Sequence, residues 1–122
     1  MSPHFLILYV ENPAISEAFY AQLLGRPAIE SSPTFVMFAV REGLMLGLWI
    51  ANGVKPAATA PGGMEFAITV GSNELVDEKH AELSGRGVAI LQSPVTLDFG
   101  YTFVAADPDG HRIRVFAPGD MA

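Results

Sequence analysis

The chain repeats itself. Val10, Ala21, Leu23, Gly25 and Arg26 recur in one register as Val70, Ala81, Leu83, Gly85 and Arg86, an offset of 60 residues. Further on, Thr34-Phe35-Val36 recurs as Thr102-Phe103-Val104, and Gly43 before Leu44 to Trp49 recurs as Gly110 before His111 to Phe116, with offsets of 67 or 68. Internal repeats carry fold information, because each copy is one supersecondary unit. A duplication explains both sets of matches. At 122 residues and 50% hydrophobic content, the chain suits one domain over its whole length, 1–122, made of two small modules, 1–54 and 62–122, rather than two independent domains.

Within each copy the same order of elements can be read. Phe5 to Val10 is a β-branched and aromatic run. Glu11-Asn12-Pro13 stops it and supplies a cap and a first-turn proline for a helix. From Ala14 to Leu24 the apolar residues Ile15, Ala18, Phe19 and Leu23 fall at helical spacing, and Gly25 is placed to end the helix. Two extended runs follow, Thr34 to Val40 and Leu44 to Ile50, joined through Arg41-Glu42-Gly43, with a short strand expected around Ala28 to Glu30. After a Gly-, Pro- and Ala-rich loop, 51–63, the pattern returns with an extended run Glu65 to Val70 and a helix near Asn73 to Leu83. The fold class is α+β: two tandem βαβββ modules, eight strands in all, forming curved mixed sheets.

Composition narrows the chemistry. Without cysteine there are no disulfides, thiolate nucleophiles or zinc-thiolate sites, although His and carboxylate metal sites are not excluded. A formal charge of -6 without a Lys/Arg run lacks the cationic footprint of a nucleic-acid binder. No apolar stretch approaches the roughly 18 to 20 residues of a membrane span, and no basic, apolar leader precedes the first strand; the expectation is a cytoplasmic protein with neither nucleic acid nor membrane as partner.

Side chains alternate across a strand, so each strand divides into two sets. Leu6, Leu8, Val10, Phe66, Ile68, Val70, Leu46, Leu48, Ile50, Ile113 and Val115 form a nearly all-apolar set that should face the helices. The other set, Phe5, Ile7, Tyr9, Gly47, Trp49, Glu65, Ala67, Thr69, Arg112, Arg114 and Phe116, mixes aromatics, charges and a glycine. A ligand cup needs both kinds, apolar walls with a few polar anchors; a dimer interface favours Trp, Tyr and Arg too. His80, mid-helix, reads as a boundary residue and His111 as part of a turn. Met37 and Met45 read as core filler or as adaptable cup lining.

The strand-turn-helix from Phe5 to Gly25 with Ala18-Phe19-Tyr20, the repeated βαβββ order, and Ala106-Asp107-Pro108-Asp109-Gly110-His111 before an alternating strand together resemble the vicinal oxygen chelate superfamily. This is the glyoxalase, bleomycin-resistance and extradiol-dioxygenase group, and the likeness covers nearly the whole chain. The resemblance implies a divalent-metal site of His and Glu side chains, two from each module, at Phe5, Gly47, Glu65 and Arg114 in this sequence. A phenyl ring offers no donor, glycine has no side chain, and a guanidinium stays cationic. The resemblance therefore points to the non-catalytic branch. Phe99-Gly100-Tyr101-Thr102-Phe103, Ile113-Arg114-Val115 and Leu48-Trp49 are similar to phenazine-binding resistance proteins, which dimerise and stack a planar drug.

The function expected on this basis is metal-independent sequestration of a planar aromatic molecule, such as a phenazine-like antibiotic, by a homodimer with no cofactor and no catalytic residue. Trp49 would be the main stacking surface, with Phe5, Tyr9 and Phe116 as walls, and Phe99 and Tyr101 in a loop over the ligand. Arg114 would anchor a ligand carboxylate or ring nitrogen, with Arg112 on the same face as a second cation, unless Glu65 claims Arg114 in a salt bridge that replaces the metal. The alternative is a metal-dependent glyoxalase- or dioxygenase-type enzyme with displaced ligands.

Overall fold

The computed structural model describes residues 1–119 and divides the chain into two compact units at Ala60 and Pro61, inside the expected loop. The first unit contains β1 (Phe5–Val10), α1 (Pro13–Leu24), β2 (Glu30–Ser31), β3 (Phe35–Arg41) and β4 (Leu44–Ile50), followed by a single 3-10 turn at Ala51–Gly53. The second contains β5 (Glu65–Thr69), α2 (Asn73–Gly85), β6 (Ile90–Leu97), β7 (Gly100–Ala106) and β8 (Arg112–Pro118). Each unit is the expected βαβββ module.

Each module forms a four-stranded mixed sheet, in the order β1-β4-β3-β2 and β5-β8-β7-β6. In both, the first strand runs parallel to the last and the other pairs are antiparallel. The parallel register is the same in each: Ile7 lies opposite Gly47, and Ala67 lies opposite Arg114. The duplication is thus a repeat of hydrogen-bonding register as well as of residue type. Pro94 sits in the edge strand β6, where the pairing with β7 shifts register between Gln92 and Val95; a residue without an amide donor is tolerated at such a place.

The side-chain split holds. Val10, Leu46 and Leu48 are buried with Tyr20, Val36 and Phe38 in the first unit, and Ile113 and Val115 with Val76, Leu83 and Phe103 in the second. Each is worth roughly 1.5–3 kcal/mol of apolar burial. The Asn12 carboxamide accepts hydrogen bonds from the Ala14 and Ile15 amides ahead of Pro13, and the Ser72 hydroxyl accepts one from the Leu75 amide. Both helices therefore start on side-chain caps.

Three local expectations are corrected. The buried stripe of α1 is Pro13, Ser16 and Tyr20, while Ile15 and Ala18 are exposed. Helical periodicity is right, but the helix meets its sheet through a small serine beside a large tyrosine, a pairing invisible to hydrophobicity. Second, Gly25 and Gly85 match in sequence but not in conformation. Gly25 takes the left-handed cap at φ 69°, whereas Gly85 is still helical and the positive φ falls to Gly87 at 79°.

Third, Thr34-Phe35-Val36 and Thr102-Phe103-Val104 are not structurally equivalent. Phe35 lies opposite Trp49 and Thr102 opposite Phe116, so the true offset is 67 and the matched triplets are one residue out of step. A one-residue slip sends every side chain to the other face. Phe103 accordingly goes to the helix side, with no exposure and its ring 5.3 Å from that of His80. His80 is half-buried, as a boundary residue should be.

Candidate functional site

In the first unit, the face turned away from α1 is apolar along β1, β4 and β3, with Glu30 of the short edge strand β2 opposite Met37 at its margin. Phe5, Ile7 and Tyr9 stand along the edge strand β1 with 48%, 44% and 40% of their surfaces exposed, a continuous apolar stripe rather than isolated surface residues. Trp49, paired with Tyr9 in register, meets its ring edge-on at 6.3 Å between centroids. Gly47 lies between Ile7 on one side and Met37 on the other, and the ring of Phe35 lies over it. A β carbon at position 47 would stand 2.8 Å from Phe35 Cζ and 3.4 Å from Ile7 Cγ1. Glycine is what admits the phenyl ring.

The matching face of the second unit carries charge. Arg114 donates to Glu65 through Nε to Oε2 and through Nη2 to Oε1, both at 2.8 Å, a bidentate fork. Its Nη1 donates to the Thr102 hydroxyl at 3.2 Å, and that hydroxyl donates in turn to the Val115 carbonyl at 2.9 Å. The Arg114 fork holds the Glu65 carboxyl below the usual carboxylate range, against the opposing effect of burial and with further help from Arg112. Glu65 in return raises the pKa of Arg114.

Around this pair, the Phe99 ring packs edge-on to Phe116 at 5.7 Å and lies 5.5 Å beneath the Arg114 guanidinium. That distance is within cation-π range. Arg112 reaches Glu65 only at 3.9 Å and is half exposed. A concavity of about 190 Å³ opens between Leu91, Gln92, Val104, Arg112 and Arg114.

Of the residues singled out in the sequence, Phe5, Tyr9 and Trp49 share the apolar face of the first unit, and Glu65, Arg114, Phe116 and Phe99 share the mixed face of the second. Tyr101 does not join them. Its hydroxyl donates to Asp77 on α2 at 2.6 Å, because alternation along β7 sends Thr102 to the Arg114 side and Tyr101 to the helix side. Nor is there a covering loop at 98–101. Asp98 and Phe99 form a two-residue turn between β6 and β7, held by the Gly119 amide donating to the Phe99 carbonyl at 2.8 Å.

Phe35, Thr102 and Gln92 belong to these faces and were not recognised in the sequence. The offset of 67 set by Gly43 and Gly110, applied to the third strand, would have identified the first two.

The metal that the fold family implies does not fit these residues. Gly47 is capped by the Phe35 ring, Phe5 has no donor atom, and both Glu65 oxygens are committed to a guanidinium. Asp107, Asp109 and His111 do bring ligand atoms within 4.8 Å of one another, but they form the β7–β8 turn. There the Asp107 carboxylate already accepts hydrogen bonds from the Asp109 and His111 amides at 2.9 and 2.8 Å.

Two βαβββ modules with this pairing, carrying the family's site positions on matching faces, define the class. Residues 2–115 match the family model of the glyoxalase/bleomycin resistance protein/dioxygenase superfamily, and the chain belongs to that superfamily. Among individual relatives it is 30% identical to the phenazine antibiotic resistance protein EhpR of Enterobacter agglomerans, over 94% of this chain and 91% of that one. A protein of Agrobacterium tumefaciens whose solution structure is known is 49% identical over 98% of both chains, with a TM-score of 0.90. A glyoxalase-related enzyme from Fulvimarina pelagi shares the fold at a TM-score of 0.84 and 21% identity, over 95% of this chain and 87% of that one.

Proposed function

We propose that the chain binds and sequesters a planar aromatic small molecule of the phenazine type, without a metal ion and without transforming it, and so protects the cell that makes it. The observation that carries this reading is the exchange of all but one metal-ligand position for groups that cannot ligate, with the remaining one, Glu65, tied to Arg114 by two hydrogen bonds of 2.8 Å. What takes the place of metal chemistry is aromatic surface. Trp49, Tyr9 and Phe5 form an exposed apolar wall in one unit, and Phe116 and Phe99 a second aromatic cluster in the other. Stacking on such rings is worth roughly 1–3 kcal/mol per ring, by analogy with base stacking. The likeness to EhpR, a phenazine antibiotic resistance protein, supports the same class of ligand.

The working form is a homodimer in the cytoplasm. The apolar stripe of Phe5, Ile7 and Tyr9 on an edge strand supports the first part, since a monomer seldom leaves such a stripe uncovered.

Trp49 is the only tryptophan in the chain, which makes the test direct. Titration with phenazine-1-carboxylate in the presence of a chelator should quench its fluorescence saturably, at one ligand per site, with unchanged ligand recovered afterwards. Trp49→Phe should abolish the signal and weaken binding measured by calorimetry. Quenching lost on chelation, or turnover of the ligand, would refute the reading.

A further inference from the structure

Among the charged groups on the second unit's mixed face, Arg112 stands apart. Arg114 is 16% exposed and commits its fork to Glu65 and its remaining arm to Thr102. Arg112 is 49% exposed and lies 3.9 Å from a carboxylate oxygen that Arg114 already occupies at 2.8 Å. One carboxylate thus faces two guanidiniums, leaving a net local charge of one positive unit in a chain of formal charge -6. Beside Arg112, Gln92, on the same sheet face through its pairing with Val104, lines the concavity of about 190 Å³ together with Leu91 and Val104. That volume is below the roughly 300–1,000 Å³ of a pocket for a whole drug-sized ligand; it suits a substituent.

We infer that this concavity is an acid-group subsite, in which Arg112, assisted by the Gln92 amide, receives the carboxylate of an aromatic acid while the Glu65-Arg114 fork acts as a positioning clasp. Arg114 is thereby removed from the role of anchor that its place in the family pattern gave it. The chemistry is selective for three reasons. A guanidinium matches a carboxylate in two parallel hydrogen bonds. The Gln92 N–H₂ group donates a third. Glu65, with its pKa lowered, stays anionic and keeps Arg114 from competing. The inference rests on the aromatic-sequestration reading and specifies its ligands as acids rather than neutral ring systems.

The test compares phenazine-1-carboxylate with phenazine-1-carboxamide on the wild-type protein and on Arg112→Gln, a half-exposed substitution that leaves the clasp intact. Calorimetry gives affinity, and side-chain NMR of the arginine Nε–H and Gln92 N–H₂ groups gives location. The acid should bind about tenfold or more tightly than the amide, the range of a charge-assisted hydrogen bond. Arg112→Gln should abolish that preference. Equal affinities in the wild type, or a preference that survives Arg112→Gln, overturns the subsite while the aromatic reading stands.

If neither phenazine quenches Trp49, the aromatic reading fails, and sodium benzoate decides the subsite by itself. Shifts at Arg112 and Gln92 that vanish in Arg112→Gln support it; no shifts, or equal shifts with inorganic phosphate, overturn it.

Discussion

Replacing Glu65 without touching Arg114 separates a structural clasp from an incidental surface pair. Exposed ion pairs are worth about 0–1 kcal/mol, whereas a hydrogen bond to a charged, desolvated group is worth about 1.5–3 kcal/mol. Here both bonds are 2.8 Å and the side chains are 32% and 16% exposed, so solvent screening discounts the upper figure. Glu65→Ala leaves Arg114 with only its Thr102 hydrogen bond and the Phe99 ring and should cost about 2–3 kcal/mol. Arg114→Ala leaves Glu65 within reach of Arg112 and should cost less, about 1–2 kcal/mol. The double-mutant cycle should return a coupling of about 1.5–2.5 kcal/mol, and Glu65→Met with Arg114→Met together should recover most of the loss, since an apolar pair leaves no stranded charge.

Urea denaturation reads these values. At a slope of about 1.5 kcal/mol per molar, Glu65→Ala should lower the midpoint by about 1.5 M. Because the folded pKa of Glu65 is depressed from the ordinary 4.5, its stabilisation is complete above that ordinary value and is lost as pH falls through the lower folded one. The wild-type advantage over Glu65→Gln should therefore hold from neutral pH to about pH 5 and then shrink on further acidification. A coupling below about 0.5 kcal/mol, or a wild-type advantage that does not change with pH, would refute the clasp.

Gly47→Val should cost about 1–3 kcal/mol by overpacking against the Phe35 ring, and much of that should disappear in a Phe35→Ala background; equal penalties in both would show that the ring is not the obstacle. Gly25→Ala should destabilise at φ 69°, whereas Gly85→Ala, with open space at its β carbon and a helical backbone, should stabilise by about 0.5–1 kcal/mol, both measured by thermal melts. Gly100→Ala should cost about 3 kcal/mol, since at φ 144° its β carbon would drive into the Ala117 carbonyl oxygen. Tyr101→Phe should leave ligand affinity unchanged. The Asp77 hydrogen bond raises the Tyr101 pKa above 10.0, so whatever stability that bond lends is present below the ordinary value and lost as pH rises through the folded one, and alkaline melts should show the wild type losing its advantage over Tyr101→Phe.

Much of this architecture is written in local chemistry. Asn12-Pro13 and Ser72 start helices through groups they carry themselves, Gly43 and Gly110 take turns at positive φ, and strict alternation in Phe5–Val10 and Arg112–Phe116 assigns each side chain to a face before any partner strand is known. The duplicated pattern then implies that one module's pairing is the other's, and Ile7 opposite Gly47 and Ala67 opposite Arg114 bear this out. Even the pairing of Glu65 with Arg114 was legible, since both stand at positions where the superfamily brings ligands together.

Other features depend on register and packing between segments distant in sequence, which no local pattern encodes. That Phe35 rather than Phe103 turns toward the site follows from one residue of offset between two similar triplets. That Tyr101 serves α2 and Phe99 serves Arg114 follows from where the two-residue turn between β6 and β7 falls. Alternation puts Arg112 and Arg114 on one strand face, but that Arg112 stops 3.9 Å short of Glu65, beside Gln92, while Arg114 takes both carboxylate oxygens is decided by packing in the folded chain.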